Sequence, residues 1–215
     1  MIEGRRKFKR ESAEQRKEAL ILATLSLVAE MGVRGATVRA ISERAEVTQG
    51  LIRHYFKSKE DLIIAAYEHH MTEMTDMTFA LAAAVEGSAR DRLTALVHAS
   101  LRPPVADPRS VALWASFLNK VQQDAQMKAT HERTYAYFRD QLQDLIRAAL
   151  EEARHVTSTM RLRHLATACN GVIDGLWMEG GALPDAFAPN ELTNIGLESV
   201  GAIIGLDLQQ KAEQS

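Results

Sequence analysis

Between Thr37 and Leu62 the chain reads TVRAISERAEVTQGLIRHYFKSKEDL, and its polar residues are of the types that hydrogen-bond nucleic acid. Gln49, Gly50 and Arg53 fall where a short helix would begin and cross a groove, and an arginine fork can pair with guanine through two parallel bonds. Arg39, one helix earlier, is placed to reach another base or its phosphate. Thr37, Thr48, His54, Tyr55 and Lys59 carry hydroxyl, imidazole, phenol and ammonium groups suited to phosphates near helix N-termini.

Two helices and the capped start of a third must hold these groups on one face. Val38, Ile41, Ala45, Val47, Ile52 and Phe56 can share a small core, leaving Arg39, Gln49, Arg53, His54 and Lys59 outside. Thr37 and Thr48 each precede a periodic segment, where a hydroxyl can accept from an orphan N–H. Ser58 with Asp61 approximates a capping box that opens the next helix, and small Ser42 stands where the two helices cross. An apolar seam under a basic outer face is the build of a helix-turn-helix DNA reader.

The run VRAISERAEVTQGLIRHYFKSKEDL closely resembles the DNA-binding domain of the TetR family of bacterial repressors, over roughly the first quarter of the chain. The resemblance implies an all-α protein: a three-helix N-terminal DNA-binding domain (1–57), a C-terminal helical ligand-binding and dimerisation domain (58–208) and a polar tail (209–215). It also implies a repressor that binds a palindromic operator as a homodimer and is released by a small-molecule effector. One position departs from the pattern. Glu46 stands at a turn usually occupied by Gly, where positive φ costs a non-glycine residue on the order of 1–3 kcal/mol. Its carboxylate would lie near DNA, weakening binding slightly or aiming a neighbouring arginine.

Composition fits a two-part protein. At 215 residues, 46% hydrophobic and 25% charged, the chain can bury a sizeable core, and its net charge of −2 alone argues against a nucleic-acid partner. The distribution reverses that inference: residues 1–60 hold 13 Lys and Arg against 8 Asp and Glu, a balance of +5, and the remainder 13 against 20, a balance of −7. A single cysteine, Cys169, suits a reducing cytoplasm, and no apolar run approaches the roughly 20 residues that span a bilayer. The expected location is cytoplasmic. Met1 to Arg5 contain a protease recognition site common in expression fusions and are treated as a fusion scar.

Farther along, helices are expected from Ser12 to Gly32, Ser58 to the high seventies, Ser88 to Leu101, Pro108 to Asp124, Ala125 to Arg154, Thr157 to Glu179 and Pro189 to Leu206. With the two reading helices this makes about nine, with Gly180, Gly181 and Pro184 as a loop. Gly171 and Gly175, and Gly201 and Gly205, lie four residues apart and leave helix faces bare, the pattern of a close dimer contact or of packing within one subunit. Resemblance favours the dimer.

Trp114, Phe117, Tyr135, Tyr137, Phe138 and Trp177 concentrate large aromatics in helices that should enclose a cavity, with Asp174 three residues before Trp177. Aromatic faces with a carboxylate can hold an organic cation; ordinary core packing is the other reading. VIDGLWMEGGAL and ALWASFLNKV resemble the ligand domain of BetI-like regulators, the TetR branch associated with choline and glycine betaine metabolism, which implies an effector such as choline.

The rival classes are an all-helical enzyme and a helical adaptor for another protein. His69, His70 and Glu73 cluster, yet only His69 and Glu73 share a face, so a solvated helix surface is expected there and no metal site. Cys169 sits in an apolar helix as an inert thiol. No phosphate loop, nucleophile elbow or carboxylate pair stands out, and no cofactor is called for.

Overall fold

The structure, a computed structural model, describes residues 12–209. The proposed fusion scar and the tail beyond Gln209 lie outside these residues. Among the described residues the chain is helical without strands, and its contacts cluster in two units, one ending at Tyr67 and the other starting at Glu68.

In the first unit, Ser12 and Gln15 form a reciprocal capping box at the helix start expected there, and α1 (Ala13–Gly35) buries Leu20, Leu27 and Val28. The helical path is broken at Gly32, whose φ of 69° ends the regular part where the sequence predicted a stop. Thr37 caps α2 (Val38–Arg44) by accepting from the Ala40 N–H at 3.2 Å. Arg44, at the end of α2, grips α1 through a two-pronged bond to Glu30, both arms 2.8 Å, and a third bond to Ser26. The turn into α3 (Gln49–Tyr55) runs through Glu46 at φ 54°, the left-handed conformation expected there. α1 packs on α2 and α2 on α3, with Ile41, Ser42, Ile52 and Phe56 buried.

α4 (Lys59–Ala83) starts where the Ser58 hydroxyl accepts from the Asp61 N–H at 3.0 Å. Its first turns bury Leu62, Ile63, Ala66 and Tyr67, so the first unit extends past the 57/58 break drawn from sequence. The capped start marks where a helix begins, and not where its burial changes.

The second unit is built from the rest of α4 with α5 (Ala89–Ser100), α6 (Pro108–Gln123), α7 (Ala125–Glu152), α8 (Thr159–Ala182), a 3-10 turn at Pro184–Ala186 and α9 (Glu191–Ile204). Local chemistry sets the ends. Ser88 and Asp91 close a capping box on α5, Asp107 caps α6 ahead of Pro108, and Asp124 ends α6 while accepting from the Gln126 and Met127 amides of α7. Leu93, Leu96, Leu142, Ile146, Cys169 and Val200 lie at the centre of the core formed by α5, α7, α8 and α9. Burial pushes the Cys169 thiol up to about 12, which keeps it protonated and inert, as its setting in the sequence suggested.

Gly180 and Gly181 are not a loop. Both are buried within α8, and a methyl group on either would stand 2.3 Å from a neighbour: Leu192 of α9 for Gly180, Val111 of α6 for Gly181. The doublet is a contact surface for two neighbouring helices, a role that reads from sequence like a helix breaker.

Candidate DNA interface and ligand cavity

On the first unit, Thr37, Arg39, Thr48, Gln49, Gly50, Arg53 and His54 are exposed, while Tyr55 and Lys59 are half-buried. The apolar seam beneath leaves these groups outside, as the pattern of the sequence required. Arg39 donates from Nε to Glu43 at 2.8 Å while 80% of its side chain stays accessible, so the guanidinium is steadied with donors to spare. The rings of His54 and Tyr55 meet edge to face, 5.0 Å apart. Thr48 occupies the cap position of α3, but its hydroxyl makes no capping bond, contrary to expectation, and is left for another acceptor or donor. Open space surrounds the missing side chain of Gly50, whose nearest neighbour is the Thr48 hydroxyl at 3.9 Å. The fold itself therefore does not demand glycine there.

Within the second unit lies a cavity of about 90 Å³. Trp114 of α6, Tyr135 and Phe138 of α7, and Asp174 and Trp177 of α8 line it, together with Val105 from the preceding loop. The two indoles stand nearly perpendicular, at 83° and 6.0 Å between centroids. Trp114 donates to the Tyr135 hydroxyl at 2.9 Å and Trp177 to the Val105 carbonyl at 2.8 Å, so both rings are locked by their N–H groups. Asn170 holds the Asp174 carboxylate at 2.8 Å. Burial pushes the Asp174 carboxyl up to about 6, against the opposing pull of that bond and of Arg139. Burial and the field of Asp174 push the Tyr135 phenol up to about 12, which keeps it neutral. The lining is thus aromatic, with one carboxylate that is mostly ionised at neutral pH.

The C-terminal region matches the family model described as the BetI-type transcriptional repressor, C-terminal, over residues 89–205, and residues 20–66 match that of the bacterial regulatory proteins of the tetR family. The chain belongs to the TetR family. It is similar to the HTH-type transcriptional regulator BetI 2 of Chromohalobacter salexigens, 30% identical over 79% of each chain. Among solved structures it is similar to a transcriptional regulator of Pseudomonas aeruginosa PAO1, with a TM-score of 0.82 and 30% identity over 93% of this chain and 95% of that one. A regulator from Saccharomonospora viridis, solved in complex with choline, shares the fold at a TM-score of 0.70 and 17% identity, over 86% and 95% of the two chains. The protein is a BetI-type TetR transcriptional repressor, not an enzyme.

In this TetR-family repressor two of the aromatics singled out from sequence stand apart from the cavity. Phe117 is fully buried in the core beside it, and Tyr137, one residue from Phe138, turns outward and donates to Asp76 at 2.8 Å. Helical periodicity separates adjacent residues by about 100°, so Tyr137 and Phe138 could not both face in. Sequence reasoning missed the α4 side: His70, Met71, Met74, Thr75 and Thr78 all line the cavity. His70 was expected on a solvated face, but it is 8% exposed, and desolvation pulls its imidazole down to about 4, which keeps it neutral. His69 and Glu73 are 3.5 Å apart on the outer face, and no described group of three His, Cys, Asp or Glu could hold a metal. No described helix is long and apolar enough to cross a membrane.

The four glycines divide. Beyond the missing side chains of Gly171 and Gly175 there is open space, with Met178 exposed farther along α8 and Ile195 exposed on α9. Gly201 instead lies under the chain's own reversal, where a methyl group would meet the Leu206 carbonyl at 2.5 Å, and Gly205 is the left-handed cap of α9 at φ 75°. Both have a role within their own subunit.

Proposed function

We propose that this repressor binds an inverted-repeat operator as a homodimer joined through the outer faces of α8 and α9, and that a choline-like organic cation in the cavity releases it from DNA. The observation that carries the ligand is Asp174 set among Trp114, Trp177, Tyr135 and Phe138: ring faces attract a cation, and the carboxylate neutralises it. At about 90 Å³ the cavity is smaller than the roughly 150 Å³ that holds one benzene ring, so a trimethylammonium ligand must widen it on binding. The choline found in the S. viridis regulator supports the same chemistry. Open space beyond exposed Gly171 and half-buried Gly175 supports the dimer face, and the positions of Gln49, Gly50, Arg39 and Arg53 support base contacts, with Thr37, Thr48, His54, Tyr55 and Lys59 on phosphates. Release requires that the cation favour a conformation that binds operator poorly, and a tenfold loss needs a differential affinity of only about 1.4 kcal/mol.

The test measures operator affinity by gel shift, and choline affinity by calorimetry. Saturating choline is expected to weaken operator binding about tenfold or more; equal affinities would reject choline as the releasing ligand. A bound cation favours the ionised carboxylate, so choline affinity should be full above the Asp174 pKa of about 6 and fall as pH drops through it. At about pH 5 the loss is roughly tenfold, and Asp174→Asn should abolish the pH dependence along with most of the affinity.

A further inference from the structure

The two arginines of α2 have opposite settings. Arg44 is spent on the fold: both of its arms go to Glu30 and one also to Ser26, which ties the end of α2 to α1. Arg39, in the first turn, has one side-chain partner among the described residues: its Nε donates to Oε1 of Glu43, one turn along the same helix, at 2.8 Å. Neither group is buried, the side chains being 80% and 64% accessible. Exposed pairs at this spacing contribute little to the stability of a helix or a fold, so the use of this one lies in what it does to Arg39.

The bond leaves Nη1 and Nη2 free, and their N–H groups form an end-on fork that matches O6 and N7 of guanine. Adenine offers N7 beside an amino donor, so a fork held in one orientation rejects it. An arginine free to rotate can instead turn the same donors to any phosphate. The carboxylate of Glu43 also makes the pair neutral as a whole, which removes most of the attraction that a lone arginine feels for the backbone of every sequence.

We propose that Glu43 is a positioning residue for DNA recognition: it holds Arg39 as an end-on fork for one guanine per reading head and withdraws it from sequence-independent phosphate contact. The inference rests on the reading that Arg39 meets a base, and adds which base it meets, through which atoms, and what keeps it there. The carboxylate acts on DNA with two opposite signs. On the matched guanine it helps, because the guanidinium is ordered before binding; on any other sequence its charge repels phosphate.

Selection of duplexes from a randomised pool by the full chain, followed by gel shifts of the selected and a scrambled duplex over a salt series, tests this. Arg39→Ala identifies the guanine as the position at which its preference is lost. Glu43→Ala is expected to reduce the preference for guanine over adenine at that position about tenfold. The same variant should bind the scrambled duplex several-fold tighter at low salt, with the slope of log affinity against log salt steeper by up to about one per head. Glu43→Gln keeps an acceptor for Nε without the charge, so it should retain more of the guanine preference while gaining as much on the scrambled duplex. Glutamine and alanine both favour helix at an exposed position, so α2 is expected to form in each variant. A double variant carrying Arg39→Ala and Glu43→Ala should lose no more at that guanine than Arg39→Ala alone, because the two residues act as a unit. Full guanine preference in Glu43→Ala, or selected and scrambled duplexes weakened alike, would overturn the proposal while leaving Arg39 as a base contact. Unchanged preference at every position in Arg39→Ala would overturn both.

Discussion

At the scale of single residues the proposed DNA face divides into groups assigned to base edges and groups assigned to the backbone. Arg53 is exposed in the middle of α3, without an ion-pair partner among the described residues, and is proposed to meet a guanine edge; Lys59 begins α4, half-buried, and is proposed to hold a phosphate. Arg53→Ala is expected to cost roughly 1–3 kcal/mol of operator binding and to relax preference at particular base pairs. Lys59→Ala should weaken all duplexes alike and lower the slope of log affinity against log salt by about one. Titrations of operator and scrambled duplex over a salt series distinguish the two, and wild-type behaviour in both variants would remove these residues from the interface. The residue types were legible in the sequence because exposed Arg, Gln and Lys beside a buried seam have few structural uses. Thr48 was read less well: its position at the cap was clear, but nothing in the sequence says whether a hydroxyl turns toward its own helix.

Among the elements, helix ends were the most legible part of the fold. Ser12, Thr37, Ser58 and Ser88 cap helices where the sequence starts them, because capping depends on three or four adjacent residues. Features set by distant packing were not legible. Gly180 and Gly181 resembled a breaker until α6 and α9 were seen against them, and the lining from α4 was missed because that helix buries residues on several sides and shows no clean polar stripe. The turn between α2 and α3 carries its own prediction. Glu46 holds φ 54° at a cost that glycine avoids, partly offset by glycine's greater unfolded-state entropy. Glu46→Gly should stabilise the first unit by about 1 kcal/mol, raising its melting temperature, and should tighten operator binding at low salt by removing a negative charge. An unchanged or lower melting temperature would show that Glu46 makes a compensating contact.

For the molecule as a whole, the reading requires two copies. A two-fold protein needs half-sites about 34–36 Å apart, or a multiple, and one chain alone would hold only half the operator contacts. Gly171→Arg and Gly175→Arg insert a large charged side chain into space that is open in the single chain. Sedimentation is expected to show a dimer for the wild type and a monomer for each variant, with operator affinity falling at least about a hundredfold because each head must then bind alone. Variants that stay dimeric with intact operator binding would place the contact elsewhere. The resemblance of the whole chain was legible from the reading helices, whereas the cavity came only in part: Trp114, Tyr135, Phe138, Asp174 and Trp177 by type, their partners on α4 not at all. Those two tryptophans are the only ones in the chain, and both line the cavity. All of the indole emission from this protein therefore originates at the walls of that cavity, so the unlabelled chain carries its own optical gauge of what enters it.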